Sequence, residues 1–452
     1  MAPMSTVGVS ASSGFPSDAE ILAILADRID VQRQSLGIVV GMTGPAGRHI
    51  VAHGRHGEAD ARPVNGGTLF EIGSVTKVFT ALLLADMVRR GEAALSDPVA
   101  DYLPEGAAPG RRAGRAITLI DLATHTSALP SLPDDFAPED PGNPYADYSF
   151  AQLFGFLARH ELTRDIGVQY DYSNLGFGLL GEALARRAGT TYEDLVRSRI
   201  TGPLGMTSTM VTLSDEARTR LAGAHDAALR GIQHWDLPTF AGAGALRSTA
   251  SDMLTFLEAA LGHRDSPLAP AFAAMLEVRR PMGVLDMQTA LGWMVVGTGD
   301  DTLVWHNGGT GGQRSFAGYL VKARTGVVAL SNSSAALGVD DIGRHLLDPA
   351  MPLAPPAKQR VAVAVAPEVL ARHVGRYRLT PDMILAVTQV GGRLFVQATG
   401  QPDVEVFAES DTDFFTVEVD AQLSFEIGGE GRAVRAVLHQ GGQDMPAERI
   451  ED

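Results

Sequence analysis

The chain has no cysteine. Disulfides, thiolate catalysis and thiolate-bound metal are excluded with it. Basic residues are scarce. Lys and Arg number 37 against 53 Asp and Glu, a formal charge of −16 at pH 7. A surface of that sign disfavours nucleic acid and anionic membrane as partners, since both attract basic faces. No apolar run approaches the roughly 20 residues that span a bilayer. No basic residue precedes Arg28 and no long apolar core lies before it. A secretory leader is therefore not expected, and the chain reads as cytoplasmic. The 12 histidines include no His-Glu-x-x-His and no pair on one helical face. No metal and no other cofactor is expected.

What is present is enough for two domains: 452 residues, 45% of them hydrophobic, with 50 glycines and 25 prolines for tight turns. Residues 1–18 read as a flexible tail. From Asp18 the spacing of Ile21, Leu22, Leu25 and Ile29 predicts a helix. The stretch 36–57 predicts two strands around a Gly-Pro turn. Strong helical patterns follow at 74–90, 174–188 and 251–262, and strands return from 302. Strands at both ends with helices between predict one antiparallel sheet built from the two termini of a domain, residues 19–348, beside a helical region. The fold class is α/β (α+β). The proline-rich stretch 349–367 reads as a linker that ends in a short helix, "PEVLARHVG". Residues 368–452 then alternate in six short segments, "MILAVTQ", "RLFVQA", "VEVFAE", "DFFTVEV", "QLSFEI" and "AVRAVLHQ". They predict an all-β antiparallel barrel. Its acidic excess points to a solvated outer surface.

Three motifs carry chemistry. Ser74 and Lys77 are three residues apart on a predicted helix with an apolar face, so they share a side of it. Ser74 follows Gly73 near the helix start, where free N–H groups favour developing negative charge. Serine needs an adjacent base, and a lysine held among apolar groups is neutral enough to serve as one. In "YDYSNLGFGLLGEAL", Tyr172 and Asn174 place a phenol and an amide at the start of a second helix. Asn174 also suits a plain helix cap. In "WHNGGTGGQRSFAGYL", the glycines let backbone approach a ligand, and His306 adds a donor or a second titrating group.

In this order the motifs resemble the penicillin-recognising serine hydrolases, nearest their class C β-lactamase-like branch of β-lactamases, family VIII carboxylesterases and D-aminopeptidases. "LIDLATHTSALP", "ITGPLGMTSTM" and "AGAGALRSTASDMLTFL" extend the resemblance over roughly residues 20–348. It implies Ser74 as acylated nucleophile, Lys77 as its proton partner, and Tyr172 as second general base or acid with its pKa lowered by neighbouring cations. Asn174 would hold the substrate amide or orient Lys77. The N–H groups of Ser74 and Gly309 would form the oxyanion hole, in the segment carrying His306 and Gly308. His306 departs from β-lactamases, whose Lys-Thr-Gly lysine helps bind the substrate carboxylate. That departure puts efficient β-lactam hydrolysis in doubt. His125 reads as structural. Asn143 and Tyr145, in a Pro/Asp-rich stretch, are assigned to a cleft wall, with a surface loop as the equal alternative. The C-terminal segments resemble the lipocalin-like barrel of some D-aminopeptidases, which would lend a loop to the cleft, gate it or support a homo-oligomer.

The expectation is a serine hydrolase acting through an acyl-enzyme on a small molecule or short peptide, peptidase or amidase first. A carboxylesterase comes next, then a β-lactamase, an acyltransferase and a non-catalytic penicillin-binding or sensing protein.

Overall fold

The computed structural model describes residues 14–450 apart from 285, 300–301, 356–359, 381–382, 400–402, 418–420 and 441–442. Positions 1–13 of the expected tail lie outside the described residues. The chain forms two compact units, one running to Ser334 and resuming over Gly338–Ala354, the other made of Ala335–Leu337 and the chain from Pro355.

The first unit opens on a helix, Asp18–Ala26, closed by a capping box between Ser17 and Glu20. The expected hairpin forms as strands Gly37–Gly44 and Gly47–Gly54. Gly37–Gly44 pairs antiparallel with Thr325–Ser331, Val39 opposite Leu330 and Val40 opposite Ala329. The remaining strands follow in order: Arg314–Leu320, Leu303–Gly309, Met294–Val296, Met287–Thr289 and Arg280–Pro281. Both termini of the domain thus build one eight-stranded antiparallel sheet, flanked by helices.

Alternate residues of its central strands face opposite ways, and both faces are covered. Val39, Val328 and Leu330 join the large core beneath the helical region. Ile38, Val40, Met42, Val327 and Ala329 pack against Ile21 and Leu25 of the first helix and Ile342 and Leu346 of the helix Asp340–Leu347. This outer layer is locked by an ion pair from Arg28 Nη2 to Asp341 Oδ2 at 2.5 Å, with the two side chains 3% and 13% exposed. Removing one partner of such a pair leaves a buried charge uncompensated. Asp341→Ala should cost about 3–5 kcal/mol, read as a lower urea midpoint for the first unit of the full chain. A change under 0.5 kcal/mol would refute the lock.

The helix Thr76–Arg89 differs from expectation. It is buried on every side from Thr76 through Met87, not along one face. A helix apolar all round lies inside the protein, so Lys77 is deeply buried.

The second unit is a closed antiparallel barrel whose eight strands follow one another in chain order. Tyr377, Leu385, Val396, Phe414, Leu423 and Phe425 fill its core. Each of the six expected segments contains a strand; in "DFFTVEV" it is Asp413–Thr416, and positions 418–419 lie outside the described residues. Two more were not expected, Gly375–Thr380 and Gln443–Ile450, which pair with each other and close the barrel. The short helix contracts to Pro367–Leu370, because the chain past it is needed for the first of these strands. The stretch read as a linker is tied down at both ends. Ala354 N donates to Asp341 Oδ2 in the first unit, and Val363 N donates to Ala408 O in the second.

Candidate active site

Ser74 lies in a single 3-10 turn, Gly73–Val75, just before the buried helix. Gly73 holds φ +47°, and a Cβ there would stand 2.7 Å from both N and O of Gly309. At Gly308 a Cβ would stand 2.1 Å from the Ile72 carbonyl oxygen. Only glycine permits the edge of the strand Leu303–Gly309 to lie this close to the turn. Ser315 Oγ, on the adjoining strand, donates to Ile72 O at 2.8 Å and fixes the contact. Ser74 and Gly309 consequently border the same cleft. Gly308→Ala should force turn and strand apart. A displacement near 1 Å costs about 100-fold in rate, so initial hydrolysis rates of an activated ester should fall by that order. An unchanged rate would mean that the approach is unimportant.

Lys77 Nζ is wholly buried and lies 2.9 Å from Ser74 Oγ, 2.8 Å from Asn174 Oδ1 and 2.8 Å from the Ala243 carbonyl oxygen. Desolvation holds its pKa well below the ordinary lysine value. In the neutral amine, two N–H bonds satisfy the Asn174 and Ala243 oxygens, and the lone pair is left toward Ser74. Asn174 is free for this because Ser173 caps the helix Asn174–Ala188, its Oγ accepting from Gly176 N. The capping role weighed for Asn174 belongs to its neighbour.

Tyr172 completes the group and corrects an expectation. Lys77 Nζ stands 4.8 Å from its ring centroid, and the phenol hydrogen-bonds to Ser74. Its pKa is raised, not lowered. Burial dominates, and the Ser74 hydrogen bond offsets only part of it. The expected cationic neighbours do not act as cations. Burial also drives His306 down to about 3 and His125 well below the usual histidine value. The phenol therefore keeps its proton at neutral pH. His125, read as structural, packs directly against the site. Its ring stacks on Tyr172 with centroids 4.4 Å apart, and its Nδ1 accepts from Ser173 N at 3.0 Å. It fixes the ring and the entry to the second helix together.

His306 is buried, its Nδ1 donating to the Asn307 carbonyl at 2.5 Å. It is not the titrating group near neutrality that the sequence suggested. Tyr145 lines the cleft, with its ring 5.3 Å from Trp235 and 5.6 Å from Phe240. Asn143 does not reach the cleft. Its Nδ2 donates to Asp236 Oδ2 at 3.0 Å and its Oδ1 accepts from Asp236 N at 2.7 Å, so its amide is consumed in joining two loops.

Sequence reasoning missed the rings and side chains that adjoin Tyr145 in the lining, Trp235, Leu237, Phe240 and Thr310. It also missed Glu71. This buried carboxylate accepts from Trp235 N through Oε1 and from Thr310 Oγ1 through Oε2, tying the wall to the strand that leads into Ser74. Its position three residues before the serine was the one available signal.

The family model for Beta-lactamase matches residues 22–350, and that for a domain of unknown function, DUF3471, matches 359–449. Among curated proteins the chain is 30% identical to the D-alanyl-D-alanine-carboxypeptidase/endopeptidase AmpH of Escherichia coli (strain K12), over 62% of this chain and 76% of that one. It is 25% identical to Penicillin-binding protein 4* of Bacillus subtilis (strain 168), over 95% and 98%. The solved class C beta lactamase from Rhodobacter sphaeroides superposes with TM-score 0.61 at 26% identity, covering 73% of this chain and 96% of that one. The beta-lactamase/D-alanine carboxypeptidase from Pseudomonas syringae, at 21% identity and TM-score 0.62, shares the fold over 70% of this chain and 94% of its own.

Proposed function

The chain belongs to the beta-lactamase family of serine hydrolases, and on that premise we propose that it cleaves an amide or ester of a small molecule or short peptide through an acyl-enzyme on Ser74. The observation that carries the proposal is the buried Lys77 amine 2.9 Å from Ser74 Oγ. The hydroxyl attacks the substrate carbonyl and passes its proton to Nζ. The oxyanion is held by the N–H groups of Ser74 and Gly309. The leaving group departs with a proton, and water then attacks the acyl-enzyme by the same relay in reverse.

An amide is the first reading, peptidase or amidase. A departing amine must be protonated, and a phenol that retains its proton beside Ser74 is the donor for that step. Carboxylesterase is the second reading, favoured by the ring-lined cleft. β-Lactam hydrolysis comes third, because a neutral His306 stands where the resemblance places a lysine in β-lactamases.

Intact-protein mass spectrometry checks the proposal. The full chain is incubated with a p-nitrophenyl ester, a D-alanyl amide and a penicillin, beside Ser74→Ala. The expected result is an acyl adduct or turnover with the ester and amide that disappears in the variant. Adducts of equal abundance on both proteins would refute the assignment of Ser74.

A further inference from the structure

A second cavity, of about 560 Å³, lies in the first unit and shares a stretch of chain with the cleft. Ile232 and His234 line the cavity, and Trp235 and Leu237 line the cleft. His225 anchors the cavity, on a short strand Ala224–His225 paired with Gly231–Ile232. Its ring is only 3% exposed. Nδ1 donates to the Asn332 carbonyl at 2.8 Å, so the neutral ring presents Nε2 as an acceptor. Among the described residues nothing hydrogen-bonds to that nitrogen. Gly57 and Gly223 leave it uncovered, since a Cβ at either would stand 3.4 Å from it. Two charges of the lining are also uncommitted. Glu58 and Arg218 make no ion pair and no side-chain hydrogen bond among the described residues. The other polar groups are spent. Arg62 donates to Asp60 through Nε and Nη2 and to the Thr219 carbonyl through Nη1. His56 Nε2 pairs with Thr68 Oγ1 at 3.3 Å, and His234 Nδ1 stands 3.3 Å from Glu71 Oε1.

We infer that this cavity is a second binding site, separate from the catalytic cleft, for a small zwitterion: an amino acid or short peptide with free ammonium and carboxylate ends. The three uncommitted groups are one neutral acceptor, one anion and one cation. An ammonium carries three N–H donors and no acceptor, which suits His225 Nε2 and the Glu58 carboxylate together. A carboxylate suits the planar fork of Arg218. Leu221, Ala224 and Ile232 offer apolar surface to a methyl or other short side chain. A ligand with one charge leaves Glu58 or Arg218 unused. The occupant would also lie beside the cleft wall. Glu71, which faces His234, accepts from Trp235 N at 3.0 Å. The inference goes beyond the acyl-enzyme reading and does not depend on it.

The test is isothermal titration calorimetry on the full chain carrying Ser74→Ala, which lacks the nucleophile and so leaves the ligand intact. The probe is L-alanyl-L-alanine, beside its N-acetyl form and its C-terminal amide. The dipeptide should bind, and each capped form, short of one charge, should bind roughly 10-fold more weakly or worse. Arg218→Gln and Gly57→Ala, each added to Ser74→Ala, should weaken the dipeptide by about the same factor. Gly57→Ala sets a methyl over His225 Nε2 at an ordinary contact distance, so it blocks the nitrogen without displacing the ring. In otherwise wild-type protein neither substitution should alter ester hydrolysis, which checks that the fold is intact. Absence of binding at millimolar dipeptide overturns the inference. Equal binding of the N-acetyl form does so too, because the ammonium would then count for nothing. An affinity unmoved by either substitution also overturns it, and would seat the dipeptide in the catalytic cleft. Failure of wild-type Ser74 to be acylated is a different result: it removes the hydrolase reading and leaves this site standing.

Discussion

Lys77→Ala is expected to lower kcat/KM on the order of 1,000-fold or more, for amide and activated ester alike. Among the described residues the serine hydroxyl has one neighbour within hydrogen-bond distance whose lone pair can take its proton, the buried Nζ. Without it the hydroxyl must lose its proton to water as it attacks. Lys77→Arg separates base from packing: the guanidinium stays protonated, so it should be as inactive as the alanine variant. The acyl adduct read by mass spectrometry should vanish in both. In the wild-type enzyme, protonated Nζ cannot accept a proton, so the rate should rise with pH through the lowered Lys77 pKa and level off well below the ordinary lysine value of 10.5. The same shift acts on stability. Between the folded and unfolded pKa values the unfolded chain binds more protons, so stability rises with pH across that window and is lost as pH falls through it. Near wild-type turnover in Lys77→Ala would end the assignment.

Tyr172→Phe is expected to reduce amide hydrolysis by about 100-fold or more and ester hydrolysis by less. The difference arises because a nitrogen leaving group needs a proton, whereas p-nitrophenolate leaves without one. The raised pKa sets the shape of the profile. With the phenol protonated, amide hydrolysis should hold its plateau up to at least pH 10, the ordinary tyrosine value, and fall only above it. Ultraviolet difference titration of wild-type protein against Tyr172→Phe should show no tyrosinate belonging to Tyr172 below that pH. A tyrosinate near pH 8, or equal losses on amide and ester, would return Tyr172 to the role of a base.

Much of this site is legible in the sequence where chemistry is local. Ser74 and Lys77 are one helical turn apart, and Tyr172 and Asn174 open a second helix, so short spacing suffices to pair them. The environment of these groups is not local. Tyr172 owes its raised pKa to burial, and the ring stacked on it is that of His125, far from it in the chain. Counting nearby cations without knowing that each is desolvated gives the wrong sign. Glu71 and Trp235 meet only after folding, so neither announces the wall they build. Asn143 shows the converse. A polar residue in a loop near a cleft is available only if no other group takes it, and Asp236 takes both ends of its amide.

The fold repeats the pattern. Helix 174–188 is found at its expected bounds, because a cap and a Gly189 stop frame an apolar run. The two unexpected barrel strands carry weak alternation. Gly375–Thr380 buries Tyr377 between outward Arg376 and Arg378, and Gln443–Ile450 contains Pro446. Such segments become strands because the neighbours at the barrel seam supply their hydrogen bonds.

The pairing of Gly37–Gly44 with Thr325–Ser331 has a consequence for synthesis. More than half the chain separates these partners, and the earlier strand is made first. At roughly 5–20 residues per second of translation, the hairpin waits on the order of tens of seconds with one edge unpaired. Ile38, Val40 and Met42 are meanwhile without the neighbouring strand whose residues complete their core. An unpaired, apolar edge invites pairing with another chain. The catalytic half of this protein is thus at its greatest risk while still on the ribosome, and a stalled or truncated product ending before the Thr325–Ser331 strand is expected to aggregate.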